Sequence, residues 1–215
     1  MKLIVETTFD DLQVIEESDA KGIKSLYIHG PFMEAEQPNR NGRIYPMPIL
    51  KPEVTRYVNE YVNKNRALGE LSHPQSPTVD PAKASHIITE LKQDGNNFIG
   101  KAKITSTPNG EIVKGLMSDG WIPGVSSRGI GSLVKKNGLN EVQKDYRLST
   151  VDIVADPSAK SAFVDGIMEG KEWIWDNGVV KEAVIAQYQK QMLRESRQNL
   201  EEKKLQLLNN FVQRL

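Results

Sequence analysis

Three residue types in this chain could together carry out acyl transfer. Ser126 and Ser127 sit in Gly124-Val-Ser-Ser-Arg-Gly129. Small neighbours let another backbone approach the hydroxyls and leave backbone N–H groups able to face a developing oxyanion. The segment is not the GxSxG elbow of hydrolases. Of the histidines, His29, His73 and His86, only His73 stands in a polar loop, directly before Pro74. A histidine in a rigid loop suits a general base. Asp152 interrupts the apolar run Val151-Asp-Ile-Val154. It either faces solvent by strand alternation or is buried with a partner. A serine hydroxyl needs a base to take its proton, and the base needs a third group to hold its ring. His73, Ser126 and Asp152 supply one of each. A chain of 215 residues offers many such triples, so spacing does not choose this one.

A metal site competes for the same region. His73, Asp80 and His86 could hold zinc as a His/Asp/His set, although their separations match no short ligand motif. The chain has no Walker loop, Rossmann glycine fingerprint or HExxH helix. It has no cysteine, which removes thiolate metal sites, disulfides and a cysteine nucleophile.

The elements that must position these residues are short. A strand is expected over 23–35, broken at Gly30-Pro31, and residues 39–46 form a loop. Apolar residues then recur at three and four from Ile49 to Val62, an amphipathic helix ending near Asn65. Residues 67–81 begin as a strand and become a proline-rich loop. Residues 85–107 read as a hairpin around Asp94-Gly95-Asn96-Asn97. A short helix over 110–120 precedes strands over 121–135 and 141–159. Residues 181–215 lack Gly and Pro and read as one or two helices. Short, turn-separated strands favour an α+β class: a mostly antiparallel, barrel-like sheet flanked by helices, with a helical C-terminal tail.

The formal net charge of zero speaks against a duplex-coating protein, so no direct nucleic acid binding is expected. It hides an asymmetry, because residues 181–215 carry seven Lys/Arg against four Asp/Glu. No apolar run approaches the roughly 18 residues of a membrane span. The first residues turn acidic after Lys2, unlike a signal peptide.

Four segments shift the weighting: Asn39-Arg-Asn-Gly-Arg-Ile-Tyr-Pro46, Ala67-Leu-Gly-Glu-Leu-Ser-His-Pro74, Gly120-Trp-Ile-Pro-Gly-Val-Ser-Ser-Arg-Gly129 and Val151-Asp-Ile-Val-Ala-Asp-Pro-Ser158. In this order and spacing the chain resembles the prohead core proteases of T-even-type tailed phages, relatives of the herpesvirus assembly proteases. The resemblance runs from about residue 23 to about residue 165. It implies a serine endopeptidase with Ser126 as nucleophile and His73 as base. Herpesvirus relatives use a second histidine as third member, and none follows Ser126 here. Asp152 fills that place, with Asp156 as fallback. Arg128 and Gly129 would lie near the oxyanion hole. No cofactor or metal is implied.

The family cuts after Glu in Leu/Ile-x-Glu contexts. Eight of the chain's 17 glutamates have Leu or Ile two residues before them: Glu6, Glu17, Glu70, Glu90, Glu141, Glu169, Glu195 and Glu202. Apolar-x-polar is also what strands write, so the pattern by itself does not mark a cleavage site. Glu70 and Glu90 fall in the expected body and are protected there. Glu6 stands out, and residues 1–22 are then an N-terminal segment with a candidate propeptide that occupies the active site until cleavage after Glu6. The protease domain is 23–170, and 171–215 is the helical tail. A glutamate side chain needs a cation, for which Arg40 and Arg43 are candidates. The resemblance further implies scaffold, core and capsid proteins as substrates and self-cleavage during capsid maturation. It implies a ring-forming homo-oligomer inside the assembling prohead, in the host cytoplasm. Two other classes stay open: a non-catalytic structural component of the prohead on the same fold, and a zinc-dependent hydrolase.

Overall fold

The computed structural model of the chain describes residues 2–8, 12–18, 24–39, 41–74, 76–155, 172–176 and 179–183. A three-stranded antiparallel sheet has the order β1 (Lys2–Thr8), β8 (Gly124–Gly131), β11 (Arg147–Val154). A five-stranded sheet has the order β2 (Gln13–Ser18), β3 (Lys24–Glu34), β7 (Asn97–Ile104), β6 (Ala84–Asp94), β5 (Leu68–Glu70). The two are stitched together where Leu71, just past β5, bridges Ile153 of β11 in parallel. On the opposite side β1 and β8 approach β3. Among the described residues the ladders do not join into one continuous closed sheet. A third small sheet joins β4 (Arg43–Ile44), β10 (Leu139–Val142) and β9 (Leu133–Lys136).

Helix α1 spans Met47–Glu60 and buries Leu50, Val54 and Tyr57, the stripe its 3–4 spacing predicts. Helix α2 spans Pro108–Ser118, and its N-cap Thr107 accepts the Gly110 N–H at 3.3 Å. The β6–β7 hairpin forms where expected, with Gly95 at φ +57° in its turn. The core gathers Ile4, Ile28, Phe32, Leu50, Tyr57, Ile88, Phe98, Val125, Val151 and Ile153.

The N-terminal segment is built into both sheets: β1 pairs with β8, β2 pairs with β3, and Ile4 and Val5 are buried. One expectation needs adjusting. The start of the expected helical tail is instead a hairpin, β12 (Glu172–Asp176) with β13 (Val179–Ala183). The sequence there, Glu-Trp-Ile-Trp-Asp before Asn177-Gly178, is aromatic and β-branched ahead of a pair that favours tight turns. The remainder of the expected helical tail, including Glu195 and Glu202, lies outside the described residues, as do Arg40, Asp156 and Glu169. Among the described residues no helix is long and apolar enough to cross a membrane.

Candidate active site

Strand β8 lies between β1 and β11, and all eight of its residues are buried. Side chains alternate across a strand. Val125 therefore turns to the core with Ile4 and Ile153, and Ser127 and Gly129 share that face. Ser126 and Arg128 turn to the other face. The β11 register sets Asp152 directly opposite Ser126 and Thr150 opposite Arg128. Cross-strand partners hold their Cβ atoms about 5 Å apart. Of the two serines, then, only Ser126 shares a face with Asp152.

Asp152 is fully buried. Its Oδ2 lies 3.1 Å from His73 Nδ1 and accepts Arg128 Nε at 2.7 Å. Its Oδ1 accepts Arg128 Nη2 at 3.1 Å and the Glu70 backbone N–H at 3.0 Å. A carboxylate with these donors requires His73 to carry its proton on Nδ1. The other ring nitrogen, Nε2, is buried without a hydrogen-bond partner among the described residues, so its lone pair is available to a hydroxyl proton. His73 thus joins the face that holds Ser126.

Burial pushes the Asp152 carboxyl up, but the His73 hydrogen bond and the Arg128 guanidinium outweigh it. The net effect holds Asp152 below its ordinary value of 3.8. A depressed native value adds stability that is present above the unfolded value, about 3.9, and is lost as pH falls through the native one. Urea unfolding from pH 6 down to pH 2 should show this loss. Asp152→Asn should lack that part of the acid slope, and an identical slope would remove the linkage.

The Arg128 side chain is fully buried and forked onto Asp152, and its Nη1 donates to the carbonyls of Ser76 and Thr78 in the loop after His73. Gly129 is opposite Ile4 on one side and Leu148 on the other. A Cβ at Gly129 would stand 2.5 Å from the Arg147 carbonyl and 2.7 Å from the Tyr146 ring, so close packing requires glycine. Arg43 is buried and donates Nη1 to the Val5 carbonyl at 2.9 Å. Val5 thereby turns its carbonyl away from β8. In an antiparallel ladder the neighbouring pairs Glu6–Ser127 and Ile4–Gly129 then carry the β1–β8 hydrogen bonds.

His86 joins the two sheets. Its Nε2 donates to the Val151 carbonyl at 2.9 Å, and its Nδ1 lies 2.9 Å from Ser85 Oγ. Burial holds it below the usual histidine range. Gly69 makes the approach feasible, since a Cβ there would lie 2.2 Å from His86 Nε2. With both ring nitrogens engaged, and Asp80 accepting from the Ala82 N–H, the His73/Asp80/His86 set does not converge. Sequence reasoning missed Glu70 as a member of this site. It is buried, and its Oε2 lies 3.6 Å from Arg128 Nη2. Its only signal was its place in the Gly-Glu-Leu-Ser-His run.

The sequence profile of the prohead core protein serine proteases matches residues 6–172. The chain belongs to that family. Similar to this prohead serine protease is the prohead core protein protease of Enterobacteria phage T4, 42% identical over 176 residues, which span 76% of this chain and 83% of that one. The solved structure of the bacteriophage T4 capsid assembly protease superposes with a TM-score of 0.69 at 37% identity, covering 73% of this chain and 98% of that chain. The α+β arrangement of antiparallel sheets and two helices is thus the fold of that protease.

Proposed function

We propose that this prohead protease cleaves peptide bonds after glutamate with a Ser126–His73–Asp152 triad and acts on prohead core proteins as the capsid matures. The observation that carries the reading is Asp152, hydrogen-bonded to His73 and registered opposite Ser126. Ser126 Oγ passes its proton to His73 Nε2 and attacks the carbonyl carbon. The tetrahedral intermediate collapses as His73 returns the proton to the leaving amine. Water repeats the cycle on the acyl-enzyme, releasing the new carboxylate.

The same reading makes the described state a closed precursor. Ser126 has no exposed surface, and β1 lies along the β8 edge beside it. Residues 4–7 read Ile-Val-Glu-Thr, and the register sets Glu6 opposite Ser127 and Thr7 opposite Ser126. The bond to be cut therefore lies alongside the nucleophile, in the position a substrate strand would take. When β1 leaves, the backbone donors of Ser127 and Gly129 come free for a substrate or oxyanion. Arg128 directs its N–H toward β11, so Gly129 is the better oxyanion donor of the two. Arg43, on the carbonyl one residue before Glu6, is the cation best placed to meet the glutamate.

The test is the N-terminal mass of active enzyme. Wild type should begin at Thr7, and Glu6→Gln should keep residues 1–6 and slow activation by at least tenfold, the scale of one lost charge-assisted contact. An active wild-type enzyme with an intact N-terminus would sink the self-cleavage step.

A further inference from the structure

We infer that Glu70 is a positioning residue for the triad proposed above: through Arg128 it returns to the His73–Asp152 pair the negative charge that the guanidinium cancels. The inference rests on that triad reading. An aspartate orients a catalytic imidazole and also stabilises the imidazolium formed during turnover. Here Asp152 cannot do the second task alone, because Arg128 places its full positive charge 2.7 Å and 3.1 Å from the two carboxylate oxygens. Asp152 and Arg128 together are neutral. A buried neutral pair gives an imidazolium a dipole rather than a counter-charge, and charging a buried group without one is costly.

Glu70 supplies the missing charge. Its carboxylate, 1% exposed, stands 3.6 Å from Arg128 Nη2, the nitrogen that also donates to Asp152 Oδ1. Its backbone N–H is bonded to Asp152 Oδ1 at 3.0 Å, so the residue is tied to both members of the pair. The Asp80 backbone N–H donates to Glu70 Oε1, which fixes the carboxylate in place. Arg128 also grips the Ser76 and Thr78 carbonyls. The same guanidinium therefore links the strand of Ser126, the carboxylate of Asp152 and the loop that follows His73.

The other groups facing this cluster do not replace Glu70. Asp152 also faces His86, a buried imidazole donating to a carbonyl, and the buried Tyr57 phenol. Glu70 also faces Lys83, which is mostly exposed and 4.0 Å from Asp80, whose side chain caps Ala82. Among the described groups, Glu70 is thus the one buried carboxylate beside Asp152 and Arg128.

The experiment is the pH profile of kcat/KM on a Leu-x-Glu peptide, using the full chain. Glu70→Gln keeps the shape and removes the charge. It should weaken the base, moving the acid limb to lower pH by on the order of one unit. Glu70→Asp should keep the limb near the wild-type position, whatever it does to kcat. Should Glu70→Gln fail to fold, the double variant Glu70→Gln/Arg128→Met removes both charges; Arg128 shares Asp152 Oδ2 with His73 and Glu70 lies beyond it, so the limb should stand at or above the wild-type position. A Glu70→Gln limb that coincides with wild type while activity merely drops would overturn the inference. So would a double-variant limb displaced to lower pH than wild type. If His73→Ala stays active, it is the triad reading that fails. If His73→Ala is inactive and the limb does not move, only the role of Glu70 fails.

Discussion

Replacing Ser126 with alanine should lower peptide cleavage by on the order of 10⁴-fold or more, the scale seen when a triad nucleophile is removed. The substitution deletes one oxygen from a strand buried on both faces, so the fold should persist. Peptide kinetics and the masses of both chain ends read the result. The variant should keep its own residues 1–6 and leave core substrates intact. Ser127→Ala serves as the control. Ser127 shares a face with Ile4 and Val125 rather than with Asp152, so its loss should leave chemistry near wild type. If the Ser126 variant still processes itself and the Ser127 variant does not, the nucleophile has been assigned to the wrong serine. If both cleave, the chemistry lies elsewhere in the chain.

Asp152→Asn carries the second large effect, because all four acceptor positions of the carboxylate are in use. Oδ2 meets His73 and Arg128, and Oδ1 meets Arg128 and Glu70. An asparagine must turn its NH2 toward one of these sets. Facing His73, it forces the imidazole to carry its proton on Nε2, where it no longer accepts one from Ser126. Facing Glu70, it opposes donor to donor. The expected loss in kcat is about 10⁴-fold. Removing the charge also leaves Arg128 buried with Glu70 as its remaining carboxylate. Breaking such a buried pair costs about 3–5 kcal/mol, so the thermal midpoint should fall. A variant within tenfold of wild-type activity would mean that Asp152 does not orient the base. Unchanged stability would mean that the Arg128 cluster is not the stabilising feature its burial suggests.

Much of the local structure was legible in the sequence because local structure obeys local rules. The 3–4 spacing from Ile49 onward wrote α1, and Asp94-Gly95 between two apolar runs wrote the β6–β7 hairpin. The chemistry was legible as a set of residue types. A serine among glycines, a histidine before proline and an aspartate in an apolar run were each visible. What they did for one another was not. Asp152 in Val-Asp-Ile-Val reads equally well as a solvent-facing residue, and only its pairing with β8 shows that it is buried. The family resemblance implies only that Arg128 lies near an oxyanion hole. Its destination, a carboxylate 24 residues away and two carbonyls about 50 residues away, is written nowhere near it. Glu70 is legible only as part of the Gly-Glu-Leu-Ser-His run and as a match to a cleavage pattern.

The N-terminal segment shows the same division. Leu3-Ile4-Val5 is too short an apolar run to distinguish a frayed end from a strand. It becomes a strand because β8 offers a free edge and the core accepts Ile4.

By itself, then, the sequence determined the absence of thiol chemistry, the elements with a strong period, the candidate nucleophile, base and orienting carboxylate, and the four motifs that mark the family. The tertiary structure decided which serine shares a face with Asp152, which cation is spent on holding that aspartate, and where Glu6 stands relative to Ser126. The reason is physical. Periodicity and turn preference act over a few residues and leave a signature at that range. Strand register and buried charge pairing are set by the burial of whole faces, between residues far apart in the chain, and local sequence does not record them.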